Sequence, residues 1–320
     1  MKKLCVLLVI LSLLLTVGVA LADTEYEADG WRYSVNDAQT EATILAYLGS
    51  DSAVTIPDTL GDVPVTVIGQ EAFKDNTSVT KVTFAKKGNL TTIGEAAFAG
   101  CTALKSISLP DSLTTLGEQA FALTGLTSVT IPKGLTEIPA YCFASCSALK
   151  SVTVPKTVQA IGDYAFYNCP KLSSVKLNEG LVSIGAGAFS GDADYLSSIE
   201  KGKAYALKSV SIPASVESIG DSAFAYQDAL TTITFAKKSK LTAIPTGLAY
   251  GCESLKSVTL PDSVSIPVTY DVSAVPQDLL SLWAATGMLP PDKVESAVME
   301  PYKENLSLMQ ATMEALQENR

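Results

Sequence analysis

Cysteine and lysine are the reactive side chains that recur at a fixed spacing in this sequence. Four of the cysteines, Cys101, Cys146, Cys169 and Cys252, stand three residues after one repeated site, held by Phe98, Phe143, Phe166 and Ala249. Cys is small and readily buried, so equal positions in a repeat give a ladder of inert thiols inside the fold. Cys146 and Cys169, in adjacent copies, would also lie within disulfide range. Metal binding needs more. Cys142-x-x-x-Cys146 stands without a second pair, and the chain has no His. The same lack removes imidazole as base or nucleophile. Asp192-x-Asp194 lacks the rest of a calcium loop. There is no Gly-x-Ser-x-Gly and no phosphate loop, and the carboxylates recur by repeat position. These residues imply neither an enzyme nor a cofactor.

The elements that carry these side chains are copies of two phrases. The first, Ile-Gly-x-x-Ala-Phe, starts at Ile68, Ile93, Leu116, Ile161, Ile184 and Ile219, with Pro for Gly in the copies at Ile138 and Ile244. Successive starts are 25, 23, 22, 23, 23, 35 and 25 residues apart. The second phrase is Leu-x-x-Val-x-Leu, often ending in Pro, as in Leu149-Lys-Ser-Val152-Thr-Val154-Pro155. Its period-2 alternation and β-branched residues predict a short strand, and the Pro ends its ladder. The first phrase predicts a turn running into about one helical turn, with Gly supplying backbone freedom. An acid often follows that Gly (Glu95, Glu118, Asp163, Asp221), suited to the start of a helical turn. One unit cannot bury its own Leu, Ile and Phe, whereas stacked units can. With strands about 4.8 Å apart, eight repeats extend roughly 40 Å.

The composite Leu-x-x-Ile-x-Leu-Pro-x-x-Leu-x-x-Ile-Gly-x-x-Ala-Phe-x-x-Cys resembles the BspA-type (Treponema pallidum type) leucine-rich repeat. Copies run from Val54 to about Val264. Gly30-Trp31-Arg32-Tyr33 and Ala42-Thr43-Ile44-Leu45-Ala46-Tyr47 resemble the capping strands that precede such arrays. The expected fold is an α/β repeat solenoid of about eight repeats of 22–25 residues, with one parallel sheet face. Expected domains are a signal peptide (1–22), an N-terminal β cap (23–53), the repeat array (54–265) and a helical C-terminal segment (266–320). The resemblance implies a bacterial secreted or surface protein that adheres to host matrix proteins, glycans or other cells.

Between the apolar positions of each strand phrase lie residues that point away from the core. From Thr80 to Thr259 these are Lys81, Lys105, Lys150, Lys176, Lys208 and Lys256, and otherwise only Ser and Thr, including Thr130, Thr153 and Thr234. None is acidic, although the chain has 33 carboxylates. Such a strip could simply keep a solvated sheet soluble. It could also dock an anionic or hydroxyl-rich ligand, since local charge steers a partner whatever the net charge. One repeat is longer, through Ser190 to Ala206. Its Asp192, Asp194, Tyr195 and Tyr205 would add acidic and aromatic contacts in a projecting loop.

The ends of the chain read differently. Lys2 and Lys3, the apolar run Leu4 to Val19, and Ala20-Leu21-Ala22 before Asp23 predict a secretory signal peptide cleaved after Ala22. Cys5 lies too deep in that run for lipid attachment. Cleavage removes two lysines and takes the net charge from −10 to −12, which disfavours nucleic acid as a partner. No membrane span is expected after cleavage. Beyond Pro267, Gln277 to Thr286 predicts a short helix and Pro291 to Glu318 a longer one, kinked at Pro301. These helices would cap the array or pair with another chain. The expected function is a non-enzymatic extracellular binding protein; the other reading is a scaffolding protein of the cell envelope.

Overall fold

The structure, a computed structural model, describes residues 24–85, 88–192, 205–245, 247–259, 261, 263 and 264. The signal sequence, Asp194, Tyr195 and the C-terminal helices expected from sequence lie outside the described residues.

The chain opens with three strands: β1 (Thr24–Ala28), β2 (Trp31–Val35) and β3 (Ala42–Tyr47). β1 and β2 form an antiparallel hairpin. Its two-residue turn, Asp29-Gly30, has φ of 52° and 82°, the doubly left-handed backbone that twisted hairpins prefer. β3 pairs antiparallel with β2 and parallel with Val63–Ile68, so it is where the pairing turns from hairpin to stack. Trp31 and Tyr47 pack at 4.9 Å, and Tyr47 stacks on Phe73 at 5.5 Å. These two rings cover the first end of the aromatic column described below.

From Ala53 onward the chain winds into turns that stack rung on rung. Each rung starts with a strip strand. Nine of these are described, in three parallel blocks: Ala53–Ile56, Lys81–Phe84 and Ser106–Ile107; Val129–Thr130, Ser151–Thr153 and Ser174–Lys176; Ser209–Ile212, Thr232–Phe235 and Ser257–Thr259. Like residues pair with like: Val152 with Val129 on one side and Val175 on the other, and Ile233 with Val210 and Val258. A proline corner follows. Pro110 and Pro155 each accept a hydrogen bond from the N–H three residues on, at 3.1 Å, closing a tight turn. A second strand of mostly two residues comes next, such as Thr92–Ile93, Thr115–Leu116, Glu137–Ile138, Ala160–Ile161 and Ser183–Ile184.

This second ladder breaks between Thr115–Leu116 and Glu137–Ile138, and the sequence supplies the cause. In regular rungs the glycine N–H donates to the Ile of the preceding rung, as from Gly117 to Ile93 O at 2.7 Å. In the two copies with Pro139 and Pro245 that donor is missing.

The third side is not helical. No α-helix occurs among the described residues, which corrects the α part of the expected class. Instead, successive N–H groups from the third residue after Ile alternate in direction. In the Ile93 rung, Ala96, Phe98 and Gly100 donate outward to Glu118, Ala120 and Ala122 of the next rung, at 2.8–2.9 Å. Ala97, Ala99 and Cys101 donate inward to residues three back, at 3.0–3.3 Å. A helix would consume every donor internally and leave the neighbouring rung unpaired. The alternation needs left-handed backbone at two sites four residues apart in most rungs. Examples are Glu71 and Asp75, Gln119 and Leu123, Tyr141 and Ser145, and Tyr164 and Asn168, all with φ near 52–59°.

The glycine of Ile-Gly serves clearance rather than flexibility. A Cβ on Gly117 would lie 2.2 Å from Glu95 N, and one on Gly220 would lie 2.3 Å from Ala186 N. Each glycine therefore marks close backbone contact between rungs. Inside, Phe73, Phe98, Phe121, Phe143, Phe166, Phe189 and Phe224 stack at 4.7–5.4 Å, within 18° of parallel. All are fully buried, and truncating one to Ala would cost about 3–5 kcal/mol.

Candidate ligand-binding faces

Within the repeat array two surfaces that run along the stack, the strip sheet and the turn ladder, differ in chemistry. On the strip sheet, all six lysines are exposed, as are Thr130, Thr153 and Thr234. The backbone distributes these lysines over three columns. Lys105 and Lys150 share a column with Thr80, Thr127 and Ser173, linked by N–H to carbonyl bonds from rung to rung. Lys208, Thr231 and Lys256 continue the same pattern. Lysines there alternate with hydroxyls, so like charges sit about two rungs, ~9.6 Å, apart, roughly a Debye length at physiological salt. Lys81 pairs beside Ser106 in a second column, and Lys176 beside Thr153 in a third.

Several hydroxyls of the strip are engaged by the array itself. Thr80 and Thr231 Oγ1 each donate to the preceding rung's carbonyl at 2.9 Å, and Ser173 Oγ does so at 3.2 Å. They keep acceptor lone pairs for a partner. No strip lysine is ion-paired among the described residues.

The long repeat differs from expectation. Tyr205, expected to offer an aromatic contact in a projecting loop, is 1% exposed. Its Oη donates to Asn168 Oδ1 at 2.7 Å and accepts from the Asp192 N–H at 2.6 Å, while its own N–H donates to Asp228 Oδ1 at 2.8 Å. It is the anchor of the insertion rather than its tip. Asp192 is half-buried beside it. The polar handle on a large ring is what made this fit unreadable from sequence: Tyr suits either an exposed contact or a buried, hydrogen-bonded one.

The five cysteines among the described residues are all buried free thiols. They do more than fill space. Cys101, Cys146, Cys169 and Cys252 donate from Sγ to the carbonyl of Phe73, Phe121, Phe143 and Phe224, each one rung back, at 3.0–3.2 Å. Gln227 takes the same position and donates to Phe189 O at 2.7 Å. The slot takes a side-chain donor, and Cys meets that with little polarity. Burial pushes the Cys101 thiol up to about 12 and the Cys146 thiol up to about 11. Thiols so far from ionisation are poor nucleophiles. Among the described residues no cluster of three Cys, Asp or Glu is arranged to hold a metal ion.

The turn ladder forms a surface that sequence reasoning passed over. Its acids include Glu95, Glu118, Asp163 and Asp221, all exposed. Tyr141 and Tyr164 stack at 5.0 Å, and Tyr164 meets Tyr167 edge-on at 5.7 Å. The signal was present in the two copies Pro139-Ala-Tyr141 and Gly162-Asp-Tyr164, which place Tyr at the same variable position.

Stacked short strands, a single-file phenylalanine core and in-register like-to-like pairing define a leucine-rich-repeat solenoid. The chain belongs to the BspA type leucine rich repeat region family, whose model matches residues 66–195 and 202–270 in six copies, more than half of the sequence. No curated protein matches it. A leucine rich repeat protein of T. pallidum is 25% identical over 81% of this chain and 95% of its own, with a TM-score of 0.51. One from Bacteroides ovatus is 24% identical over 73% of this chain and 70% of that one, with a TM-score of 0.46. A leucine rich cell surface protein from Faecalibacterium prausnitzii is 25% identical over 76% and 90%, with a TM-score of 0.37. No helix among the described residues is long and apolar enough to cross a membrane.

Proposed function

We propose that this protein is exported, loses residues 1–22, and works outside the cell as a non-enzymatic binding module. Its strip sheet docks an anionic or hydroxyl-rich ligand, either a glycan or an acidic surface of a host matrix protein or another cell. One observation carries the reading. On a chain of net charge −10, the strip holds six lysines and not one carboxylate. A random share of the charge would have put acids there, and an acid-free strip attracts anionic partners over short range. The hydroxyls between the lysines supply directional hydrogen bonds to complement that attraction.

The test is retention of the purified chain on matrix proteins, a glycan array and isolated cell wall, with and without Lys→Gln at all six positions. Binding that weakens at least tenfold in the variant, and weakens with added salt in the parent, supports the reading. Binding unchanged by the six substitutions ends it. Retention on the producer's own wall alone would favour the scaffolding role over adhesion.

A further inference from the structure

The turn ladder places four large side chains at left-handed positions: Leu123 (φ 58°), Tyr141 (φ 55°), Tyr164 (φ 56°) and Tyr226 (φ 56°). In other rungs the equivalent slots hold Gly100, Gly187, Gly247 and Gly251, or small or polar residues such as Asp75, Ala96, Ser145, Asn168 and Ser222, also at positive φ. The backbone at these slots suits glycine, so a bulky residue stands there against its own conformational preference. Two of the four are seated against a glycine. A Cβ on Gly187 would lie 2.4 Å from Tyr164 Cε1, and one on Gly251 would lie 2.6 Å from Tyr226 Cδ1. Each of those rings therefore lies over a glycine of the next rung.

Leu123 and Tyr141 cover no glycine; the next rung carries Ser145 and Tyr164 in their columns. They are among the most exposed large apolar side chains described, at 56% and 39%. Tyr141, Tyr164 and Tyr167 make one aromatic cluster. Carboxylates flank it. Gln119 N donates to Ala140 O and Tyr141 N to Asp163 O, so Glu118, Ala140 and Asp163 form one column beside the column of Gln119, Tyr141 and Tyr164. Asp163 is held in place, since its Oδ1 accepts from the Ala186 N–H at 2.7 Å. The three rung segments 116–124, 138–146 and 161–169 contain no Lys or Arg.

We propose that this patch is a second docking site, for a cationic polypeptide segment. An Arg or Lys side chain lies against the tyrosine rings, where a cation is attracted to the π face, and pairs with Glu118 and Asp163. Arg suits both contacts, since its planar guanidinium stacks and forks. The charge complementarity is the reverse of that on the strip sheet. The two faces therefore take chemically opposite partners, and one chain can bridge them.

The test is binding of a fluorescein-labelled oligo-arginine peptide to the full exported chain, read by anisotropy. The parent should bind, and L123G/Y141G should bind at least about fivefold more weakly, because the aromatic and apolar contacts are lost. Glycine fits the left-handed backbone at both sites, so the thermal midpoint of that variant should stay level or rise, separating lost binding from lost folding. E118Q/D163N should weaken binding to a similar extent. E25Q/D37N removes the same charge from the N-terminal strands, at two exposed positions outside the repeat array, and should leave affinity unchanged. No binding by the parent, parent-like affinity of L123G/Y141G, or an equal loss in E25Q/D37N would each overturn the proposal.

Discussion

The strip sheet and the turn ladder pair the same rungs by the same kind of backbone hydrogen bond, yet they constrain their residues in opposite ways. On the strip, side chains alternate in and out of extended backbone, so every outward position tolerates Lys, Ser or Thr alike. On the turn ladder, alternate N–H groups point along the stack, a Cβ on the glycine of Ile-Gly would lie 2.2–2.9 Å from the neighbouring backbone, and every described rung carries a left-handed residue. Free choice of side chain therefore lies on the strip, and structural necessity on the turns. A bulky residue at a turn position, such as Leu123 or Tyr141, carries more information than a lysine on the strip.

The sharpest way to break this contrast is Gly117→Ala. Its Cβ would meet backbone rather than a movable side chain, so the cost should be about 3 kcal/mol or more in urea unfolding. Ser128→Ala on the exposed strip should stay within about 0.5 kcal/mol. Equal effects would mean that the rungs slide apart easily and the contrast is illusory.

A second effect concerns the thiols behind the turn ladder. Their folded pKa values lie above the ordinary value of 9.0, at about 12 for Cys101 and about 11 for Cys146. A raised folded pKa means that the stabilisation is complete below pH 9 and is lost as pH rises toward 11–12, because only the unfolded thiol ionises. Each thiol should cost about 1.4 kcal/mol per pH unit across that window. Comparing urea midpoints at pH 8 and pH 10.5 with those of Cys146→Ala would check this, since the variant should lose part of the slope. At pH 8 the folded protein should also resist alkylation by iodoacetamide, and rapid labelling of Cys146 before unfolding would contradict its burial.

The smallest effect has the opposite sign. Leu123→Gly relieves a left-handed leucine whose side chain is mostly in solvent, and glycine's own entropy offsets part of that gain. A net stabilisation of roughly 0.5–1 kcal/mol, seen as a small rise in thermal midpoint, would confirm that Leu123 does not serve stability. A loss of similar size would show that it packs.

Much of this organisation was legible in the residues. The repeated Phe sites lie in one buried column, the strand phrase forms strands, and the Lys, Ser and Thr between its apolar positions are exposed or half-buried wherever their side chains are described. The acid-free strip was visible because period-2 alternation assigns each residue a side without any knowledge of neighbouring rungs. The turns were not legible in the same way. Ile-Gly-x-x-Ala-Phe is short, apolar and alanine-bearing, which suits one helical turn, and only the carbonyls of the adjacent rung make the alternating pattern better. The role of the glycine was misread for the same reason: nothing local reveals that Glu95 N lies opposite Gly117. Tyr205 was expected to offer an aromatic contact in a projecting loop and is buried, and its partners Asn168 and Asp228 stand 37 and 23 residues away.

By itself, then, the sequence determined the period, the identity of the core and the family, since repetition and hydrophobic alternation are properties of the chain read along its length. Only the tertiary structure decided what stacking creates. It turned Cys into a hydrogen-bond donor to the rung behind, made Pro139 a break in the second ladder, gave glycine the task of clearance and gathered Tyr141, Tyr164 and Tyr167 into one patch. These properties arise between rungs more than 20 residues apart. Their energies depend on distances of a few ångströms across the stack, which spacing along a single strand of text does not contain.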